Sequence, residues 1–277
     1  MRVGVAIFLT DRTIAPDELA REAEGRGLAS LFVPEHTHMP VEHGPYPAGG
    51  PLPDEYHRTL DPIVALTAAA GATSSLELGT GVALVAQRDP IVLAKAVASL
   101  TLLAGPRVTV GVGYGWNRPE LEHHGVRWEE RRAVVRDRLE LIRALWRDEI
   151  ARHEGTHVQL RPSWSWPKPS GGPPPILLGA RLGPRTLEDL VAVADGWMPI
   201  GARATHEGLP SLRAAWGRAG RAGRPHVHVY GTRPEPEILR GLAELGVDAV
   251  SLWLPSTGRD GVLPVLDRFA ALVEELR

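Results

Sequence analysis

Residues 76–112 read LELGTGVALVAQRDPIVLAKAVASLTLLAGPRVTVGV and form one strand–helix–strand unit. Two runs rich in β-branched residues, 76–84 and 107–112, flank a helical pattern over 89–103. That pattern starts at Asp89-Pro90 and stops before Gly105-Pro106, which are typical helix boundary signals. Two strands joined by a helical crossover lie parallel in one sheet, so this stretch predicts a parallel α/β fold.

The same alternation of strand and helix continues through the chain. Eight such units close a barrel, so the predicted fold class is α/β, a (β/α)8 TIM barrel that occupies residues 1–277 as a single domain. A doubly wound open sheet is the alternative fold. The predicted strands are 3–8, 31–34, 76–84, 107–112, 175–178, 196–200, 226–230 and 249–254, and the predicted helices are 17–27, 61–74, 89–103, 129–147, 185–194, 206–219, 235–245 and 262–276.

Two loops are longer than a simple strand–helix repeat requires. Residues 39–59 are rich in proline and glycine and leave the end of the second strand, where barrel enzymes build their sites. Residues 152–174 contain Trp164 and Trp166 and precede the fifth strand. The second insertion is expected to form a small hairpin or to wrap over the barrel. Long loops in compact domains are usually functional or disordered.

Composition excludes several classes of function. A formal net charge of −2 gives no long-range attraction to nucleic acid or to an anionic membrane. The absence of cysteine excludes disulfides, thiolate nucleophiles and iron–sulfur clusters. The apolar run at 3–9 is typical of a strand rather than a signal peptide, and no apolar run is long enough to span a bilayer. We expect a cytoplasmic protein with a small-molecule substrate and neither a nucleic-acid nor a membrane partner.

Glu35 and His36 stand together at the end of the second predicted strand. A carboxylate beside an imidazole can set up proton transfer or orient a ring cofactor, whereas a helix cap or a loop hydrogen bond is the structural alternative. His36 and His38 also have a metal-ligand spacing. The only lysines, Lys95 and Lys168, fall inside a helix and in the second insertion, which disfavours both a hydrolase metal site and a Schiff base. We predict no metal.

Glycines mark the ends of the next three strands. Gly81-Val82 ends the third, where glycine allows close backbone approach or simply tight packing. Residues 114–117 follow the fourth and present aromatic side chains that suit a flat ring ligand or form a hydrophobic lid. Residues 179–185 link the fifth strand to its helix; free amides and two arginines there make an anion site or an ordinary turn.

These stretches together resemble the bacterial luciferase-like family, whose members use flavin or deazaflavin cofactors. The resemblance covers almost the whole chain. It rests on LFVPEH at 31–36, LGTGV at 78–82 with RDP at 88–90, RVTVGVG at 107–113, and PILLG at 175–179 leading to ADGWMP at 194–199. It implies a barrel that binds an isoalloxazine-like ring at its C-terminal mouth.

The resemblance also implies residue roles. Glu35 and His36 match the acidic–histidine pair near the reactive ring edge, and Trp116 is bulkier than usual on the substrate side. Gly81-Val82 match a bulge that often contains a non-proline cis peptide. The remaining cofactor contacts are Tyr114, Gly115 and Asn117 in the fourth-strand loop and Gly179, Ala180 and Arg181 in the phosphate loop, where Ala180 replaces a frequent second glycine.

The most similar subgroup uses coenzyme F420, which implies hydride transfer between F420 and a small organic substrate. In this hypothesis His36 gives or takes a proton and Glu35 orients it. The alternatives are a two-component monooxygenase that uses reduced FMN and oxygen, a non-catalytic cofactor-binding relative, and a metal-dependent barrel hydrolase. The resemblance further implies a separate flavin or F420 reductase that supplies reduced cofactor, and a homodimer.

Overall fold

Eight parallel strands form a closed barrel in the computed structural model, which describes residues 1–276. Two further strands form an antiparallel hairpin outside it. In chain order the strands are β1 (Arg2–Ala6), β2 (Ser30–Val33), β3 (Glu77–Ala83), β4 (Val108–Val112), β5 (Ala151–Glu154), β6 (Gln159–Ser163), β7 (Ile176–Leu178), β8 (Gly196–Trp197), β9 (His226–Thr232) and β10 (Ala249–Trp253). The hairpin is β5–β6.

A helix follows each barrel strand, and one short extra helix stands between β4 and its barrel helix. The helices are α1 (Pro16–Gly25), α2 (Pro62–Ala72), α3 (Pro90–Ala104), α4 (Arg118–His123), α5 (Arg131–Arg147), α6 (Pro184–Val193), α7 (Gly201–Arg218), α8 (Pro236–Glu244) and α9 (Arg259–Glu275). Short 3-10 turns cover Asp54–His57, Val85–Gln87 and Trp128–Glu130. The extra helix is α4, which the sequence pattern did not predict.

The first and last barrel strands pair with each other, and this closes the sheet. The register of β1 with β10 runs from Arg2 opposite Ala249 to Ala6 opposite Trp253. Around the barrel the order is β1, β2, β3, β4, β7, β8, β9 and β10. The predicted barrel is therefore confirmed. The open-sheet alternative is wrong, because an open sheet would leave β1 and β10 as edges.

The repeated Asp-Pro pairs begin helices as predicted. Asp61 Oδ1 accepts from the amides of Ile63 and Val64 at 2.9 and 3.1 Å. Asp89 Oδ1 accepts from two amides of the first turn of α3, both at 2.9 Å. Each aspartate thus satisfies two amides that have no partner within the helix, and the proline after it fixes a helical φ.

The region after β7 departs most from the prediction. β8 covers only Gly196–Trp197; beyond it the pairing with β9 is reduced to single contacts, in which the Tyr230 amide donates to the Pro199 carbonyl at 2.7 Å and Ile200 forms an isolated bridge with Tyr230. The helix α7 begins at Gly201, five residues before the predicted start at His206. Its N-cap residue, Ile200, has no capping side chain, so the sequence carried no signal for this start.

The insertion 152–174 contains all of β6 and most of β5. It therefore forms a small hairpin, which is the first of the two forms expected from the sequence. Asp137 of α5 anchors it, because its carboxylate accepts from His153 Nε2 at 2.6 Å and from the amides of His157 and Val158 at 2.5 and 3.0 Å. Trp164 and Trp166 are exposed on the loop that follows. The hairpin therefore packs against the outer helix α5.

The outer faces of α2 and α3 are apolar apart from the exposed Lys95 of α3. Their most exposed large side chains are Val64, Val92, Leu102 and Leu103, and the two helices pack side by side. A helix that is apolar on all sides is usually buried in an assembly or a core.

Within residues 1–276, the structure contains no helix that is both long and apolar enough to cross a membrane.

Candidate active site

A cavity of about 720 Å³ opens where the barrel strands end. It extends from the ends of β1, β2 and β10 to the loops after β7 and β8 and the first turns of α6 and α7. Its position agrees with the rule that barrel sites lie at the carboxyl ends of the strands. The predicted site residues that line it are Glu35, His36, Gly81, Val82, Trp116, Gly179, Ala180 and Arg181.

Tyr114, Gly115 and Asn117 support the cavity from behind; within residues 1–276 they lie outside its lining. The Tyr114 hydroxyl donates to Asp189 at 2.5 Å. Asn117 Oδ1 accepts from the amide of Gly44 at 2.9 Å and so ties the insertion 39–59 to the fourth-strand loop. Their predicted contact with a cofactor stays a prediction.

His36 is paired with a carboxylate that the sequence did not reveal. Its Nδ1 lies 2.9 and 3.1 Å from the two carboxylate oxygens of Glu120, and both side chains are buried. Because a carboxylate accepts, Nδ1 carries the hydrogen, and in the neutral ring Nε2 is the acceptor. His36 lines the cavity, so this arrangement can exchange a proton through Nε2 with a bound molecule.

Glu120 comes from the short helix α4. The available signal was Arg118-Pro119-Glu120 after Asn117, since a proline early in a helix and an acid in its first turn mark a helix start. An acid there usually serves only the helix dipole. Glu120 is 84 residues from His36 in sequence. The two side chains meet because α4 folds over the barrel mouth.

Glu35 has a different partner from the one predicted. Its Oε1 accepts from Arg88 Nε at 2.5 Å and its Oε2 from the amide of Leu84 at 2.8 Å. The prediction that Glu35 orients His36 is corrected: successive side chains of an extended chain point in opposite directions, and within residues 1–276 Glu120 is the carboxylate bonded to His36. Burial raises the pKa of Glu35, whereas Arg88 and the Leu84 amide oppose that rise.

The insertion 39–59 returns over the cavity and places aromatic rings next to His36. The Thr59 hydroxyl donates to the carbonyl of His36 at 2.8 Å and fixes the end of the insertion there. Tyr56 lies with its ring centroid 5.3 Å from that of His36, and its hydroxyl is 3.2 Å from that of Tyr46. Burial raises the pKa of Tyr56 above its usual value, so its hydroxyl stays neutral.

The floor of the cavity is apolar and tightly packed. The peptide bond between Gly81 and Val82 is cis, and the pairing of β3 with β4 shifts register between Thr80 and Ala83. A Cβ at Gly81 would lie 2.3 Å from the ring of Tyr230, so only glycine fits against it. Val82 is half-buried and lines the cavity, so a flat ring could rest on its side chain.

The far end of the cavity is suited to an anion. Gly183 and Ile200 are the N-caps of α6 and α7, and in the described chain neither helix start has a capping side chain. Gly183, Ile200 and the exposed Arg181 line the same end of the cavity. Helix N-termini bind anionic groups through such amides and through the helix dipole. Trp197 Nε1 donates to the carbonyl of Ala180 at 2.8 Å and steadies this loop.

The two histidines of the H-x-H pattern diverge. His36 binds Glu120, whereas His38 Nε2 lies 2.9 Å from His123 Nδ1. In residues 1–276 the group of side chains spaced for an ion is Asp137, Glu140 and His153, on α5 and the hairpin. The Asp137 oxygens there are already bonded to the hairpin. The prediction of no metal stays a prediction.

Comparison with known proteins identifies relatives of this chain. A model of the luciferase-like monooxygenase family matches residues 16–233. An uncharacterised protein of Mycobacterium tuberculosis (strain H37Rv) is 42% identical over 276 residues, covering 98% of each chain. The phthiodiolone/phenolphthiodiolone dimycocerosates ketoreductase of the same strain is 30% identical over 236 residues, which cover 84% of this chain and 54% of that protein.

Two solved structures share the architecture. The monooxygenase RslO1 from Streptomyces bottropensis superimposes with a TM-score of 0.78 at 20% identity, covering 99% of each chain. An F420-dependent secondary alcohol dehydrogenase in complex with an F420–acetone adduct gives a TM-score of 0.78 at 16% identity, covering 100% of each chain. At these identities the likeness demonstrates a common fold alone.

Proposed function

The chain belongs to the luciferase-like monooxygenase family, and from that premise we propose that it is an oxidoreductase that transfers a hydride between coenzyme F420 and a small organic substrate. The observation that carries this proposal is the buried His36–Glu120 pair beside an apolar floor, in a cavity whose far end is suited to an anion. The named relatives support it, since one reduces a ketone and another oxidises a secondary alcohol with F420.

The residues present fit a cofactor of this kind. Val82 would support one face of the ring, and the cis peptide below it is packed too tightly against Tyr230 to admit a side chain at Gly81. The free amides at the start of α6 and Arg181 would hold the phosphate. A Cβ at Gly183 would meet open space, so the backbone there is free to be approached. Ala180 is half-buried in the same loop.

The cofactor, when bound, supplies or accepts the hydride, and this chain supplies position and proton transfer. His36 Nε2 holds the proton that a substrate oxygen takes up or gives away. Glu120 keeps the ring of His36 oriented and stabilises its charged form, as a carboxylate behind a catalytic imidazole does. The rings around His36 exclude water from that end of the cavity.

A two-component FMN monooxygenase is the second candidate, favoured by the likeness to RslO1. Such an enzyme would consume oxygen with reduced FMN. In both cases we propose that a separate reductase supplies the reduced cofactor. We also propose that a second copy of the chain covers the largely apolar outer faces of α2 and α3, so the mass in solution should be about twice 30.0 kDa.

The cofactor is tested by titration of the purified protein. Trp116 and Trp253 line the cavity, so binding should quench tryptophan fluorescence. We expect F420 to bind at least about tenfold more tightly than FMN, a difference of about 1.4 kcal/mol. If FMN binds well and F420 does not, and reduced FMN then drives oxygen consumption, the second candidate replaces the first.

The anion end provides a matched pair of variants. Gly183→Asp puts a carboxylate at the N-cap of α6, where it takes the free amides and repels a phosphate, so the cofactor Kd should rise at least about tenfold. Gly258→Asp makes the same change at the N-cap of α9, and a Cβ meets open space at either glycine. That control should leave the Kd unchanged. Equal cofactor binding by both variants would contradict the assignment of the phosphate site.

Glu120→Gln should lower kcat by at least about tenfold, because an amide cannot stabilise the charged imidazole and can favour the wrong tautomer. The cofactor Kd and the melting temperature should change little, since the side chain keeps its size and a hydrogen bond. Glu122→Gln on the same helix removes an exposed carboxylate that pairs with Arg118 and serves as control. A parallel fall in kcat for both variants would argue against a positioning role for Glu120.

A further inference from the structure

Six rings form a continuous arc around the end of the cavity that holds His36. Neighbouring ring centroids along it are 5.8, 5.3, 4.5, 5.6 and 5.0 Å apart, which is normal for aromatic contacts. In order the rings are those of Trp116, His36, Tyr56, Phe8, Trp253 and Tyr230, and all six residues line the cavity. A molecule next to His36 is therefore surrounded mainly by flat apolar faces.

The ionised groups near this arc are already paired. Glu35 is bonded to Arg88, and Glu120 lies behind His36. Arg181 and Glu207 line the cavity too, but in the loop after β7 and on α7, at the anion end. Glu207 is paired with Arg203 at 2.8 Å. A charged group on a substrate at the arc would lose its hydration without gaining a counter-ion, which is strongly unfavourable.

A cation is disfavoured for a second reason. Aromatic faces can bind ammonium groups, so the arc by itself would accept one. However, His36 must carry a second proton, and so a positive charge, to donate to a substrate that is being reduced. A cationic substrate bound next to His36 would oppose that charge. The polar function that the arc can accept is consequently a neutral oxygen within reach of Nε2.

Tyr56 of the insertion presents a ring face rather than a hydroxyl. The Tyr56 hydroxyl is bonded to that of Tyr46 at 3.2 Å, and the Tyr56 ring packs at 4.5 Å from Phe8. The insertion therefore adds apolar surface to the substrate end. The polar contacts left there include His36 Nε2 and the buried hydroxyl of Tyr230, which has no hydrogen-bond partner among the described residues. This favours substrates whose single polar group is the one that reacts.

We propose that the substrate is an uncharged cyclic ketone, or the matching secondary alcohol, with an apolar body that packs against this arc. This inference rests on the proposed function. In the reducing direction a hydride adds to the carbonyl carbon, the π bond breaks, and its electron pair on oxygen takes the proton from His36 Nε2. The hydride and its two electrons would come from the bound reduced cofactor, and the proton from His36.

The test compares three cyclohexanones that carry, opposite the carbonyl, a tert-butyl, a trimethylammonium or a carboxylate group. The first two have nearly the same shape and differ in charge. We expect kcat/KM for the neutral ketone to exceed that for either charged one by at least about a hundredfold. Binding of the same ketones to the protein loaded with oxidised cofactor, followed by tryptophan fluorescence, should show the same order.

A pair of variants tests the place of recognition. Trp253 is 38% exposed at the rim of the arc, so Trp253→Arg can place a cation there. This variant should raise kcat/KM for the carboxylate ketone at least about tenfold and lower it for the neutral one. Trp164→Arg, on the exposed loop of the second insertion, should change neither value.

The outcomes separate this inference from the proposed function. If F420 does not bind, the proposed function fails before any ketone is tried. If F420 binds but the protein prefers either charged ketone, or accepts none of the three, the proposed function survives and the substrate class is wrong. An unchanged preference in Trp253→Arg, with cofactor binding intact, would equally overturn the placement of the substrate on the arc.

Discussion

His36→Asn should reduce kcat for F420-dependent turnover by about 10²–10⁴-fold, the usual contribution of a general acid or base. The reason is that Nε2 disappears, and it is the atom of His36 left free to exchange a proton with the substrate oxygen. Asparagine is preferable to alanine because its amide nitrogen can still donate to Glu120 from about the position of Nδ1. Alanine would leave that buried carboxylate without its partner.

The measurement is turnover with a ketone together with the cofactor Kd by fluorescence. We expect the Kd to stay within about threefold, because the cofactor is held by the floor and the anion end of the cavity. His38→Asn is the matched control, two residues away and hydrogen-bonded to His123 outside the cavity. It should retain full turnover.

This experiment also addresses the non-catalytic alternative. A protein that only stores the cofactor would bind it equally well in both variants and show no turnover in any form. A metal hydrolase would lose activity with a chelator and would not need the cofactor. If His36→Asn turned over as fast as the unaltered protein, the proton would have to pass through another group, and the proposed role of His36 would be wrong.

The barrel could be predicted because its signals are local. Apolar runs of strand length, helices of regular period and the Asp61-Pro62 and Asp89-Pro90 caps each lie within a few residues of sequence. The start of α7 was missed where this local signal is absent, at Ile200. The hairpin in the second insertion was predicted as one of two forms, and the choice depended on Asp137, which comes from a different helix.

The site could be predicted only in part for the same physical reason. Glu35 and His36 follow directly after β2, so they lie at the barrel mouth regardless of how the rest of the loop folds. The sequence therefore identified both as candidates. Which carboxylate meets His36 depends on how α4 crosses the mouth, and that is a long-range packing outcome. Tyr56 likewise joins the arc because long-range contacts hold the insertion 39–59 in place, among them the hydrogen bonds of Thr59 with His36 and of Asn117 with Gly44.

Arg88→Met should destabilise the fold by about 3 kcal/mol at neutral pH, as expected when one partner of a buried ion pair is removed. The Glu35 side chain is only 1% exposed and would keep a single donor, the amide of Leu84. Arg88 also bonds Asp61 at 2.5 Å, so the variant loses a second contact at the N-cap of α2. For a chain of this size, the melting temperature should fall by about 6–12 °C.

The pH dependence of this deficit should come mainly from Glu35. Burial already raises the pKa of Glu35 and Arg88 opposes that rise, so without Arg88 the folded-state pKa lies still further above the unfolded one. Between those two values the folded protein binds more protons than the unfolded one, so its stability falls as pH rises. The deficit of the variant should therefore shrink as pH is lowered through the folded-state pKa and be largest at neutral pH. A deficit that stayed constant over this range would point to lost packing instead.

Two further variants make the test specific. Adding Glu35→Gln to Arg88→Met removes the charge that had lost its partner, so it should restore much of the stability and remove most of the pH dependence. Asp61 should account for the rest, because its burial is outweighed by the hydrogen bonds from Arg88 and the first amides of α2, which lower its pKa. Arg136→Met breaks an ion pair with Glu140 in which both side chains are about half exposed, 49% and 45%, and should change stability little. The Arg88–Glu35 ion pair also fixes the backbone just after β3, because Glu35 accepts from the amide of Leu84 and Leu84 lines the cavity. Cofactor binding should therefore weaken in Arg88→Met and recover in the double variant.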